Sequence, residues 1–181
     1  MNILGTSIDV VTMDQAVNCI AAWVKQRQKP HLVITANPEI LVSAMGDPLL
    51  THILERADLV VADGVGVIWA SKLLASPLPE RIPGIELMDR LLAEAAQEGW
   101  KVFLLGAKPG VAKTAAAAMT AAFPGLQIVG HEHGYISSDN QPQLLAHLAA
   151  SDADLLFLAM GAPRQEKWAA AHLAALGIPV A

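Results

Sequence analysis

Asp63 closes the apolar run Leu59-Val-Val-Ala62 and is followed by Gly64 and Gly66. A carboxylate at the end of a strand can serve as a general base. It can equally cap the helix that follows. The two glycines favour the first reading, because a ligand can approach a backbone that lacks Cβ atoms. A second strand-length run, Leu155–Ala159, gives way to Gly161-Ala-Pro-Arg164-Gln165-Glu166-Lys167. In open parallel sheets ligands bind beyond the carboxyl ends of the strands, where helix N-termini aim free N–H groups at anions. Gly161, Arg164 and Gln165 therefore suit a phosphorylated ligand. Arg81 sits in a stiff loop between Pro79 and Pro83. It is suited to bidentate phosphate binding, or is a solvated surface charge. Gly106-Ala-Lys-Pro-Gly110 is a turn feeding a helix, useful for phosphate or a plain connection. Tyr135, the single tyrosine, follows Gly134. It offers either a stacking face for a base or a core-edge aromatic with its hydroxyl in water. Thr35 and Asn37 bracket another strand end, and Asn37 also reads as a helix cap.

Several familiar spellings fail on spacing. Gly64-x-Gly66-x-x-Trp69 lacks the third glycine of a dinucleotide site, and no acid ends a second strand some twenty residues on. In Gly106 to Thr114 the second glycine comes too early for a P-loop, and Lys113 does not adjoin it. Asp152-Ala-Asp154 is written like a metal-binding acid pair. It opens a strand, so it belongs to the amino edge, away from the candidate site. His131-x-His133 has no third ligand at a suitable spacing. No metal and no cofactor are expected, and His31, His52, His147 and His172 read as structural.

Alternating short strands and helices must hold these residues. Extended pieces are predicted at Asn2–Leu4 and Ile8–Val10. A helix to about Gln28 follows, with Thr12 and Gln15 at capping-box spacing. A strand at His31–Thr35 leads into Asn37-Pro38-Glu39, a cap, a first-turn proline and a first-turn acid. Helical segments then run to Arg56, broken near Asp47-Pro48. Further strands are expected at Leu59–Ala62, Lys101–Leu105, Leu126–Val129, Leu155–Ala159 and from Ile178. Helices are expected at Gly66–Leu74, Ile85–Glu98 (ended by Gly99), from the Gly110 turn to Phe123, from a Ser138/Gln141 cap to Ser151, and at Arg164–Ala175. A loop is expected over Gly130–Tyr135. This β-α alternation predicts an α/β fold, a Rossmann-like parallel sheet with helices on both faces, as one domain over residues 1–181.

The bulk composition agrees. Of 181 residues, 54% are hydrophobic, much of the excess being alanine, and the mean hydropathy is +0.42. Every apolar stretch is interrupted by a charge or a proline, so no membrane-spanning helix is expected. No signal peptide is legible. The one cysteine, Cys19, excludes a disulfide framework and points to a reducing, cytoplasmic setting. A net charge of −5 argues against nucleic acid as a partner. Gly177-Ile-Pro-Val-Ala181 reads as the opening of another buried strand.

Taken together, Thr35-Ala-Asn-Pro-Glu-Ile40, Ala62-Asp-Gly-Val-Gly66, Pro79-Glu-Arg-Ile-Pro-Gly84, Val102-Phe-Leu-Leu-Gly106, Gly130-x-x-x-Gly134-Tyr135 and Gly161-Ala-Pro-Arg-Gln-Glu-Lys-Trp168 resemble the WecG/TagA/CpsF family of bacterial glycosyltransferases. The resemblance runs nearly the whole length. It implies an inverting, metal-independent transferase moving a hexosamine, N-acetylmannosamine in well-known members, from a UDP-sugar. The implied acceptor is an undecaprenyl-pyrophosphate-linked sugar at the inner face of the cytoplasmic membrane. It also implies Asp63 as base, Thr35, Asn37, Arg81 and Gln165 as active-site polar residues, and Tyr135 as a nucleotide contact. Gly64, Gly66, Gly106, Gly161 and Arg164 complete the expected nucleotide-sugar site. Family members carry a C-terminal membrane-docking appendage, which this chain is expected to lack, and homo-oligomers are expected. Two rival readings are a UDP-glucose-type transferase of exopolysaccharide synthesis and a nucleotide-sugar-binding module without catalysis.

Overall fold

The computed structural model describes residues 1–181. A small antiparallel hairpin, β1 (Asn2–Ile3) and β2 (Thr6–Ser7), leads into α1 (Met13–Gln26). The α1 start is a full capping box. The Thr12 hydroxyl accepts from the Gln15 N–H, and the Gln15 side chain accepts from the Thr12 N–H. Then follow β3 (Val33–Ala36), α2 (Pro38–Met45), α3 (Pro48–Arg56), β4 (Leu59–Ala62), α4 (Val65–Leu73) and α5 (Gly84–Glu98). The remainder is β5 (Lys101–Gly106), α6 (Val111–Ala122), β6 (Gln127–Glu132), α7 (Gln141–Ala150), β7 (Leu155–Ala159) and α8 (Arg164–Leu176). No helix is long and apolar enough to cross a membrane.

All pairings after the hairpin are parallel: β3 with β4, and β6-β5-β7. The two ladders are joined by the last residues. Val180 bridges both His31 and Leu155 in parallel, and the Ala181 N–H donates to the His31 carbonyl. One sheet results, in the order β6-β5-β7-(Pro179–Ala181)-β3-β4. Alternate side chains feed opposite faces, as the two-residue period of a strand requires. Val61, Val102, Leu104 and Leu155 pack with α1, α5 and α6. Val60 and Ala62 pack with α2, α3 and α4, and Phe103, Leu105 and Leu156 with α7 and α8. This is the Rossmann-like α/β architecture expected.

Some local expectations need correction. Ile8–Val10 is not a strand. Asp9 instead seals the outer edge of β4, its N–H donating to the Val60 carbonyl and its carboxylate accepting from the Val60 N–H. The strand expected to stop at Val129 runs on to Glu132. It does so through a bulge, since Val102 pairs with Ile128 but Phe103 pairs with Gly130. Gly130 is required there, because a Cβ would lie 2.3 Å from the buried Phe103 ring. Ser138 does not cap α7. It bonds Asp139, while Asn140 ties the preceding turn through the Ser137 N–H and the Tyr135 carbonyl. The Asp152–Asp154 pair does lie at the amino edge. Asp154 accepts from the Lys101 N–H and pairs with Arg27, and Asp152 pairs with Lys101 and Arg27.

Candidate active site at the carboxyl edge of the sheet

The first group of residues gathers where β3 and β4 end. Asp63 follows β4, and its N–H continues the ladder to the Ala36 carbonyl. Its carboxylate does not cap α4, whose N-cap is Gly64 with no side-chain bond. Instead Oδ2 accepts from the Gly84 N–H at 3.2 Å, at the start of α5. Oδ1 has no partner within the protein, and the side chain is half-buried. A helix N-terminus favours a nearby anion, so this contact fixes the carboxylate while leaving one oxygen for chemistry. Gly84 also allows Thr35 to come close, since a Cβ on Gly84 would stand 3.1 Å from the Thr35 hydroxyl oxygen. Asn37 caps α2, its Oδ1 accepting from the Ile40 N–H at 2.9 Å. The space that Cβ atoms on Gly64 and Gly66 would need is filled by the Pro38 ring, at 3.2 and 3.0 Å. These glycines thus let α2 press on the Asp63 turn. Arg81 lies in the loop before α5 and is paired with Glu86 at 3.3 Å, both well exposed.

The second group gathers where β5, β6 and β7 end. Gly106 has φ +154°, and a Cβ there would sit 2.4 Å from the Ala159 carbonyl oxygen. Only glycine lets β5 leave the sheet so close to β7. Gly134 donates to the Ala107 carbonyl, and the Arg164 guanidinium donates to the Gly134 carbonyl. The loop after β6 is thereby tied to the first turn of α8. Tyr135, next to Gly134, is 57% exposed, with its ring edge-on to His133. Gly161 has φ +82° and open space on its Cβ side. Gln165 is turned inward. Its Oε1 accepts from the Met160 and Gly161 N–H groups, and its Nε2 donates to Glu166 at 2.9 Å.

Both groups border one cavity of about 390 Å³. Thr35 and Gly84 line it from one side, and Gly106, Ala107 and Gln165 from the other. Asp63 reaches the cavity wall through its bond to Gly84. Arg81 and Tyr135 stand outside that lining, on exposed loops.

Glu166 was not singled out from sequence. It is only 5% exposed, lines the cavity, and its Oε2 has no hydrogen-bond partner. Burial pushes its carboxyl pKa up. A signal was present in the spacing: Glu166, Ala169 and Leu173 fall three and four residues apart, on the buried stripe of α8.

Comparison with known proteins agrees with the motifs. The family model described as Glycosyl transferase WecG/TagA/CpsF family matches residues 1–181. Proteins of Staphylococcus aureus strains NCTC 8325 / PS 47, COL and MSSA476 are each 38% identical over 173 residues, covering 95% of this chain and 67% of the relative. Each bears the name N-acetylglucosaminyldiphosphoundecaprenol N-acetyl-beta-D-mannosaminyltransferase.

Proposed function

The chain belongs to the WecG/TagA/CpsF family of glycosyl transferases, and on that premise we propose that it moves an N-acetylmannosamine-type hexosamine from a UDP-sugar to a sugar carried on undecaprenyl diphosphate. The acceptor reading rests on the name of the staphylococcal relatives. The site reading rests on one observation: the half-free carboxylate of Asp63, held by the start of α5, beside a cavity that also reaches the start of α8.

In this mechanism the free oxygen of Asp63 takes the proton from the acceptor hydroxyl as that oxygen attacks the anomeric carbon. The bond to the UDP oxygen breaks on the opposite face, so the configuration inverts. One base suffices, and no group on the enzyme forms a covalent intermediate. Charge developing on the departing diphosphate is met by Arg164, and by Arg81 once released from Glu86, beside the Gly106 and Gly161 turns. Thr35 and Asn37 lie within the same group of residues as the reacting hydroxyl, and Tyr135 offers its exposed ring to the uracil. The cations needed are protein side chains, so the reaction is written without a metal. A peripheral position at the inner membrane surface is part of the same proposal, supported by the lipid-linked acceptor named for the relatives.

The test is a transfer assay with N-acetylglucosaminyl-diphosphoundecaprenol and a panel of UDP-hexosamines, with and without EDTA. The expected result is one preferred UDP-N-acetylmannosamine donor, a β-linked product and no loss of rate with chelator. A nucleotide-sugar-binding module without catalysis would bind UDP-sugar and form no product.

A further inference from the structure

Glu80 makes a long-range bond that the proposed chemistry leaves unused. It adjoins Arg81, in the loop between α4 and α5, and is exposed. Yet its Oε1 accepts from the N–H of Met13, the first residue of α1 and 67 positions away in the chain. That helix start already has its capping box of Thr12 and Gln15. At an exposed start, water can satisfy the Met13 N–H. A carboxylate is nevertheless well placed there, because free N–H groups and the helix dipole favour an anion. What the bond adds is a fixed point for the loop.

Three further bonds hold the same segment. The Leu78 N–H donates to the Ser71 hydroxyl at 3.1 Å, and that hydroxyl donates to the Ile68 carbonyl at 2.8 Å. The Ile82 N–H donates to the Ala62 carbonyl at 2.7 Å. The Gly84 N–H donates to Asp63. Leu78 and Ile82 are both buried. Leu78, Glu80 and Ile82 therefore all face the protein, at the two-residue period of an extended chain. Arg81 lies between two anchored neighbours and faces outward, where its guanidinium meets only Glu86. No other cation lies between Lys72 and Arg90. Since Ala62 directly precedes Asp63, the loop runs beside the strand end that carries the candidate base. Of its anchors, only Glu80 reaches α1; the others tie it to α4 and to the end of β4.

We propose that Glu80 is a positioning residue: docked on the start of α1, it holds Arg81 beside Asp63 to receive the diphosphate of the donor. This rests on the role given to Arg81 above. The docked carboxylate is also kept away from Arg81, so Glu86 is the one partner that a diphosphate must displace. An arginine carried on a fixed loop loses less freedom when it binds.

The test is UDP binding by calorimetry, with a urea midpoint for each protein. The native chain is compared with Glu80→Ala, Glu80→Gln, Arg81→Ala, Thr12→Ala and the double variant Glu80→Ala/Arg81→Ala. Acting by charge alone, Glu80 would repel the diphosphate, and its removal would tighten binding. The anchor predicts the opposite sign. Glu80→Ala should weaken UDP binding about fivefold or more, and the double variant should bind no more weakly than Arg81→Ala, as coupled residues do. Glu80→Gln keeps an oxygen for the Met13 N–H and should hold native affinity. Thr12→Ala loosens the same helix start without touching the loop, so its midpoint should fall while UDP affinity stays native. Native or tighter binding by Glu80→Ala, beside a weakened Arg81→Ala, would overturn the anchor and leave the role of Arg81 standing. Native binding by Arg81→Ala would overturn both. Equal losses in Thr12→Ala and Glu80→Ala would also overturn the anchor, making Glu80 a helix cap only, and so would a Glu80→Gln loss as large as that of Glu80→Ala.

Discussion

One oxygen of the Asp63 carboxylate is committed to the Gly84 N–H and the other is free, and this division is the basis of the proposed chemistry. The sequence left open whether this acid caps the next helix or acts as a base. The structure removes the simple capping role, since α4 starts from Gly64 without a side-chain cap. Asn37 is the opposite case: its cap of α2 is real, and a catalytic role must be shown separately. Serine caps a helix about as well as asparagine, whereas alanine costs about 1 kcal/mol. Asn37→Ala should therefore lower both the urea midpoint and the transfer rate. Asn37→Ser should hold the midpoint and still lose transfer at least tenfold. A serine variant with full rate would make Asn37 a cap and nothing more. Gln165 was legible as a polar residue at the right edge but not as an inward-turned brace. Its bonds to Met160, Gly161 and Glu166 depend on how the turn folds back.

At the scale of elements, most helices and strands were legible because caps and breakers mark them. Thr12 with Gln15, Asn37-Pro38, Asp47-Pro48 and Gly99 all act where their spacing puts them. What failed was tertiary in origin. The β6 strand passes Gly130 because a bulge and the Phe103 ring, both set by β5, dictate its path. Glycines taken as openings for a ligand, Gly64 and Gly66, face the Pro38 ring, a contact between α2 and α4 that no local pattern announces. Gly106 is the sharpest case, because the clash would be with backbone. Gly106→Ala should destabilise the chain by about 1–3 kcal/mol, as overpacking does. The shift should appear in the urea midpoint with the far-UV spectrum of the folded chain unchanged. Gly161→Ala, with open space around it, should cost less, through its φ of +82° alone. Equal losses at the two sites would contradict the close β5–β7 approach.

For the whole molecule, ion pairs tie distant elements together and give stability a definite pH dependence. Asp47 is held below its ordinary value of 3.8 by Lys167, which links α3 to α8, and by the Leu50 N–H. Asp152 is lowered by Lys101 and Arg27. Burial works against the charge of Asp58, but Lys29, the Leu32 N–H and His31 outweigh it, and its pKa is lowered too. A carboxylate with a depressed folded pKa gives stability that is complete above the unfolded value and lost as pH falls through the folded one. The urea midpoint should therefore fall between about pH 5 and about pH 2, and Asp152→Asn should make the fall shallower. Glu166 has the opposite sign. Its raised folded pKa means that the native state gains from protonation, so this group weakens the fold as pH rises above 4.5. Glu166→Gln should remove that component, seen as a flatter profile toward neutral pH. The α/β class and the residues at the carboxyl edge were readable from the alternation of elements. The strand order, with Val180 bridging His31 and Leu155, was not, because it is a property of the assembled sheet.

The central claim is that the free oxygen of Asp63 accepts the acceptor's proton. The most direct measurement compares native chain and Asp63→Asn in steady-state transfer and in UDP binding by calorimetry. Asparagine keeps an oxygen for the Gly84 N–H, so fold and UDP affinity should be retained. Transfer should fall by roughly a hundred- to ten-thousandfold, the usual worth of a general base. An Asp63→Asn chain that turns over at near-native rate would contradict the account.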